Sequence, residues 1–127
     1  MLRFLCICLG GAFGTGARYL MSGWLQPVPG AGIPYGTLSV NVLGSFLIGL
    51  LSQVALTTDG ISPTLRLTLT TGVLGGFTTY SSFNYETTEG LRTGALGLAG
   101  LYVALTLVGC LVAGFLGLGA GRLLVGR

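Results

Sequence analysis

A chain of 127 residues with 51% hydrophobic side chains, 7% charged side chains and no His has a mean hydropathy of +0.86. A soluble domain of this size leaves too much of itself at the surface to hide so much apolar area, which excludes the ordinary water-soluble classes and makes the bilayer the natural solvent. The net charge of +3 comes from scattered arginines, so it is no argument for nucleic acid.

A membrane-crossing helix needs roughly 20 mainly apolar residues. No charge occurs from Tyr19 to Thr58, from Leu67 to Tyr85 or from Thr93 to Gly121. The pattern therefore predicts one four-helix transmembrane domain over residues 1–127, with spans at about Phe4 to Trp24, Thr37 to Leu56, Leu65 to Tyr85 and Ala95 to Gly121. The opening MLRFLCICLGGAFG shares the basic start and apolar run of a signal peptide. The run continues to Trp24 without a convincing cleavage site and three more spans follow, so it is read as the first span. Breaker-rich loops, residues 26–34 and 57–63, separate the second span from its neighbours.

Arg18 lies inside the first span, where it either snorkels to a headgroup or water-filled vestibule or faces an aqueous mouth that attracts anions. Cys6, Cys8 and Cys110 are odd in number and have no CxxC spacing, so neither a disulfide framework nor a zinc site is expected. Small residues four apart, such as Gly10 and Gly14, Ser45 and Gly49, Gly72 and Gly76, and Gly117 and Gly121, predict close helix interfaces. Four short helices bury little of one another, so these faces are expected to serve a homodimer. With four arginines against two on the opposite sides, the positive-inside bias is small enough for insertion both ways.

In the second span Asn41 is either interhelical glue or a functional amide. The third span carries GVLGGFTTYSSFNYE from Gly72 to Glu86, and nine of the seventeen residues from Thr68 to Asn84 bear a hydroxyl or an amide. Gly72, Gly75 and Gly76 with the β-branched Thr78 and Thr79 weaken the helix in mid-span. Unwound backbone is tolerated in a membrane only where it is buried in protein, lines water or coordinates an ion. Tyr80 and Phe83 lie three apart, close on a resumed helix, and an aromatic rim carries positive partial charge. In the fourth span Tyr102, Thr106 and Cys110 form one stripe. With no Asp, Glu or Lys near any span centre, this inventory of donors suits an anion.

GTLSVN in span two and GGFTTYSSFNYE in span three resemble GTLxxN and GGxTTFSTF, the hallmark segments of the Fluc (CrcB) fluoride channels. The likeness covers nearly the whole chain, including the Arg in span one and a YxxxSxxxS-like stripe in span four. It implies an all-α membrane protein of four transmembrane helices, the third broken near its middle, forming an antiparallel dual-topology homodimer. It further implies passive fluoride efflux across the cytoplasmic membrane through two pores, and a central structural sodium ion held by backbone carbonyls. By the same resemblance Gly75 and Thr78 would supply the sodium ligands; Asn41, Tyr80, Phe83, Tyr102, Thr106 and Cys110 would line the fluoride pore; and Arg18 would stand near a vestibule. Thr37 and Glu86 also match family positions. Two residues depart from the pattern: Tyr80 stands where Phe is usual, and Cys110 where a hydroxyl is usual.

Two other classes compete. A small dual-topology multidrug exporter would need a membrane-embedded carboxylate to exchange proton for drug. A noncatalytic membrane assembly subunit would use the glycines and hydroxyls as glue. An enzyme is disfavoured, because the Ser and Cys residues have no base in any recognisable motif.

Overall fold

The computed structural model describes residues 1–25, 32–57 and 60–126; part of each predicted loop (residues 26–31 and 58–59) and Arg127 lie outside the described residues. The chain is all-helical over its described elements: α1 (Leu2–Trp24), α2 (Tyr35–Thr57), α3 (Pro63–Leu67), a π-helical segment (Thr68–Leu74), α4 (Gly75–Phe77), α5 (Tyr80–Arg92) and α6 (Leu96–Leu124). α1, α2 and α6 are each long and apolar enough to cross a membrane. Hydrophobic side chains such as Leu9, Phe13, Val108 and Phe115 point outward, as expected when the surroundings are lipid rather than water.

The third polar run starts two residues earlier than its hydropathy predicts. Ser62 accepts a hydrogen bond from the Leu65 amide through Oγ at 3.2 Å, and Pro63 takes the first helical position, where its missing N–H costs nothing. From there the backbone stays helical through Gly72, Gly75 and Gly76, loosened into π geometry but not broken. The opening comes just afterwards, at the two threonines: Thr78 and Thr79 both adopt extended conformations. The glycine run therefore widens the helix and the β-branched pair ends it. Thr79 then caps α5, its Oγ1 accepting from the Ser82 amide at 3.2 Å.

α5 ends in a Schellman turn. Gly94, at φ +83°, donates to the Leu91 carbonyl at 3.2 Å, and Ala95 donates to the Gly90 carbonyl at 2.9 Å. The left-handed residue reverses the chain so that α6 returns along α5 and brings Tyr102 against Phe83.

Two helix pairs form the body. α2 packs along α6, and α1 packs along the π-helical segment and α4. Glycine sets both spacings. A Cβ on Gly14 would run into the Val73 carbonyl, and one on Gly76 into the Gly11 carbonyl. Across the other pair, Gly49 lies against the Gly114 carbonyl and Gly117 against the Phe46 carbonyl. The small-residue faces predicted to serve self-association are thus consumed within the chain, because the helices approach to backbone contact before any partner arrives. Gly16 is different, with nothing within 4 Å of a Cβ built on it.

Gly117→Ala is expected to force α2 and α6 apart and lower stability by about 1–3 kcal/mol. Gly119→Ala, whose Cβ would meet nothing within 4 Å, is expected to be neutral or slightly stabilising. Thermal unfolding of the two variants in detergent checks the contrast; equal midpoints would mean that this backbone contact does not set the spacing.

Candidate functional site: a cavity at the helix break

A helix interrupted inside a membrane leaves amides and carbonyls without their partners four residues away, and each such group costs several kcal/mol in hydrocarbon. Here two neighbours meet that need. Asn41, on α2 and 8% exposed, accepts from the Thr79 amide through Oδ1 at 2.8 Å and donates through Nδ2 to the Thr79 carbonyl at 3.0 Å. The Gly76 carbonyl, which a continuous helix would pair with Tyr80, instead accepts from Arg18 Nε at 3.1 Å. Thr78 keeps its helical bond to Leu74, its amide donating at 3.0 Å and its hydroxyl reaching the same carbonyl at 3.0 Å. Both sequence readings of Asn41 therefore bear on one side chain. It is glue for the break, and its amide retains one N–H beyond the bond to Thr79.

Beside the break lies a cavity of about 420 Å³. Asn41, Gly75, Thr78, Tyr80, Phe83, Thr106 and Cys110 all line it, together with Ser45 and Thr70 and the apolar walls of Ile48, Leu74, Leu107 and Leu111. Among these lining residues none carries a charge. Thr106 is 6% exposed and its hydroxyl has no hydrogen-bond partner, so the cavity wall holds a free donor. The three rings form a tilted series: Tyr80 and Phe83 have centroids 5.7 Å apart at 55°, and Phe83 and Tyr102 are 5.3 Å apart at 58°. Tilted stacking turns ring edges toward neighbouring faces and leaves others free, which is the geometry edge-on anion contact requires. Phe83 is buried, whereas Tyr80 is 77% exposed.

Two predicted residues fall outside the cavity lining. Arg18 sits on the far side of the break, against Gly76. Tyr102 is buried to 2% exposure, and its hydroxyl donates to Glu86 Oε2 at 2.6 Å. Thr37 donates to Glu86 Oε1 at 2.6 Å, so both carboxylate oxygens are occupied. Tyr102 is thus committed to a carboxylate beside the cavity, while the cavity lining itself carries none. The hydropathy pattern placed Glu86 just past the end of a span, but α5 continues for six residues beyond it and α6 folds back along it, which leaves the carboxylate half-buried. Sequence spacing could have suggested the contact only through GTLSVN, whose Thr37 lies one turn before Asn41 on the same helix. Ser45, expected only at a helix interface, and Thr70, which carried no sequence expectation of its own, also line the cavity.

Helices of membrane-spanning length, a helix broken at polar residues, and a donor-lined, uncharged cavity at the break define a multi-pass membrane protein with a built polar site. Residues 5–118 match the family model described as CrcB-like protein, Camphor Resistance (CrcB). The chain is 56% identical to a fluoride-specific ion channel FluC of Sorangium cellulosum over 98% of both chains. It is 53% identical to the protein of that name from Anaeromyxobacter sp. strain K, over 91% of both, and 46% identical to that of Geobacter metallireducens, over 96% of this chain and 98% of the relative. The chain belongs to the CrcB family, whose relatives here carry the name of an ion channel rather than of an enzyme.

Tyr102→Phe removes one donor from a half-buried carboxylate and is expected to lower stability by about 1–3 kcal/mol. In a Glu86→Leu background the same change is expected to cost markedly less, because the two groups share one interaction. Thermal unfolding of the four proteins of that cycle in detergent measures the coupling; additive effects would mean that the bond contributes nothing to stability.

Proposed function

We propose that this chain is a fluoride-selective channel that lets fluoride leave the cell passively across the cytoplasmic membrane. The observation that carries the reading is the cavity at the helix break, where hydrogen-bond donors and ring edges converge and no lining residue carries a charge. Fluoride is compact, strongly hydrated and a strong hydrogen-bond acceptor, so a narrow path must replace its lost water with donors. Asn41 offers its remaining N–H, Thr106 its unpartnered hydroxyl and Tyr80 its phenol. Phe83 offers its ring edge, and Cys110 a weak S–H. Tyr102 orients the Phe83 ring and is itself held by Glu86. The names of the relatives point the same way.

The working unit is an antiparallel homodimer of four-span subunits, with the broken run of residues 63–92 as the third span. α5 supports this, because Ser81, Asn84, Tyr85 and Thr88 face outward on it. A polar face cannot rest against lipid, and a second copy would cover it. The sparse, nearly balanced arginines permit the opposite insertions such a dimer needs.

The Gly75 and Thr78 carbonyls fit a structural sodium ion at the centre of that dimer. Gly75 is exposed, and a Cβ there would meet only the Thr70 carbonyl, at 3.8 Å. Thr79 does not return its amide to Gly75 but gives it to Asn41, so the Gly75 carbonyl is relieved of its helical partner. No cluster of three or more His, Cys, Asp or Glu occurs among the described residues, and backbone carbonyls suit a hard monovalent cation. Bound sodium would supply a fixed charge that ties the breaks of the two subunits together.

The exporter reading needs a carboxylate free to trade a proton. Glu86 has both oxygens engaged by Thr37 and Tyr102 and does not line the cavity, which disfavours that reading. The assembly-subunit reading differs in requiring no transport by the protein alone.

Liposomes containing only this protein are expected to release fluoride rapidly and to retain chloride, as read by ion-selective electrodes. Asn41→Asp is expected to abolish fluoride release while the protein remains dimeric, since it puts a negative charge at the cavity and sets an oxygen against the Thr79 carbonyl. Unchanged release from that variant would remove Asn41 from the path. If the unaltered dimer moves neither ion, Tyr80→Phe separates a path blocked by the phenol from a cavity that is only helix glue.

A further inference from the structure

We infer that Arg18 is a positioning residue of the helix break: it acts by capping the Gly76 carbonyl through Nε, and its positive charge is not what the site uses. The inference rests on the channel reading above and assigns Arg18 a role other than that of a vestibule charge.

Four observations converge. Gly76 is the last residue but one of the helical run, so its carbonyl is among those that a terminating helix leaves without an amide partner. That oxygen faces α1, since both Arg18 and Thr15 reach it from there and a Cβ built on Gly76 would run into the Gly11 carbonyl and the Thr15 amide and hydroxyl. Arg18 Nε then meets it at 3.1 Å, and the contact is partly buried. Thr15 Oγ1 stands 3.5 Å from the same oxygen, too long to replace that donor. In contrast, Gly75 and Thr78, on either side of Gly76, line the cavity.

The break thus has two sides. On one, Arg18 fixes the Gly76 peptide against α1; on the other, Asn41 fixes Thr79 against α2. With Gly76 and Thr79 both anchored, Thr78 between them and Gly75 immediately before them have little freedom to rotate away from the cavity. Losing the Arg18 anchor leaves the Gly76 carbonyl with only the long Thr15 contact and lets its peptide turn in search of a better donor.

The donor atom makes the idea separable from electrostatics. Nε is attached to Cδ, and glutamine carries Nε2 on Cδ, the same number of bonds from Cα. Arg18→Gln therefore keeps a donor at this position and removes the charge. Arg18→Met keeps the chain length and removes both. The experiment compares the unaltered protein, Arg18→Gln and Arg18→Met, reading hydrogen–deuterium exchange of the 78–82 backbone in detergent and fluoride release from liposomes. Arg18→Met is expected to exchange there about tenfold faster, with α2 and α6 protected as before, and to release fluoride at least about tenfold more slowly. Arg18→Gln is expected to stay within about twofold of the unaltered protein in both readouts.

Exchange that quickens and release that slows equally in both variants would overturn the inference in favour of charge, and an Arg18→Met protein indistinguishable from the unaltered one would overturn it outright. Should Arg18→Met fail to fold, Arg18→Gln and Arg18→Lys decide it: the inference requires the shorter-reaching neutral donor to match the original, and a result in which only Lys matches overturns it. If the unaltered protein conducts no fluoride, the channel reading fails, while the exchange comparison still supports or overturns the anchor.

Discussion

The fold depends on the rule that backbone polar groups inside a bilayer must find partners within the protein. A continuous helix satisfies the rule automatically, so interrupting one is expensive unless the surroundings are built to receive the freed groups. Here the interruption at Thr78 and Thr79 is received from two directions, by the Asn41 amide on α2 and the Arg18 guanidinium on α1. Both hydrogen bonds of Asn41 go to a single residue, which fixes the Thr79 peptide in position and direction together. The cavity, the tilted rings and the free Thr106 hydroxyl all take their places relative to that peptide.

The helix pairs make the arrangement possible. Arg18 reaches Gly76 only because Gly10, Gly14, Gly72 and Gly76 let α1 and the π-helical run come to backbone contact. Asn41 reaches Thr79 on a helix whose own position is set by glycine contacts along α6. The π geometry of Thr68–Leu74 fits the same logic, since a wider turn accommodates backbone pressed against a neighbouring helix. On the far side the Schellman turn at Gly94 returns the chain so that Tyr102 and Thr37 converge on Glu86.

Much of this was legible in the chain of letters because the signals were local. Charge-free stretches marked the long helices to within a few residues, and the density of hydroxyls from Thr78 marked the polar site. The stripe of Tyr102, Thr106 and Cys110 was visible as helical spacing, although Tyr102 proved committed to a carboxylate. What escaped depended on tertiary neighbours. Of the glycines and threonines expected to weaken the helix together, only the threonines open it, because close packing against α1 holds Gly72 and Gly76 helical despite their low propensity. Small-residue patterns state that a helix will be approached closely and do not state by whom, so the expectation of a second copy at those faces was wrong about the occupant. Glu86 looked peripheral because hydropathy ended the span before it, whereas the extension of α5 and the return of α6 half-bury it between Thr37 and Tyr102.

The glycine contacts differ in what lies across from them. At Gly44 an added Cβ would meet the end of a side chain, Thr78 Cγ2, whereas at Gly14, Gly49, Gly76 and Gly117 it would meet a carbonyl oxygen. A side chain can be shortened by a second substitution, but every amino acid carries the same carbonyl. Lesions of the first kind therefore admit intragenic suppressors at the opposing residue. Those of the second kind leave selection essentially one route back, reversion to glycine, and genetic drift along this sequence is constrained most tightly at the positions where backbone faces backbone.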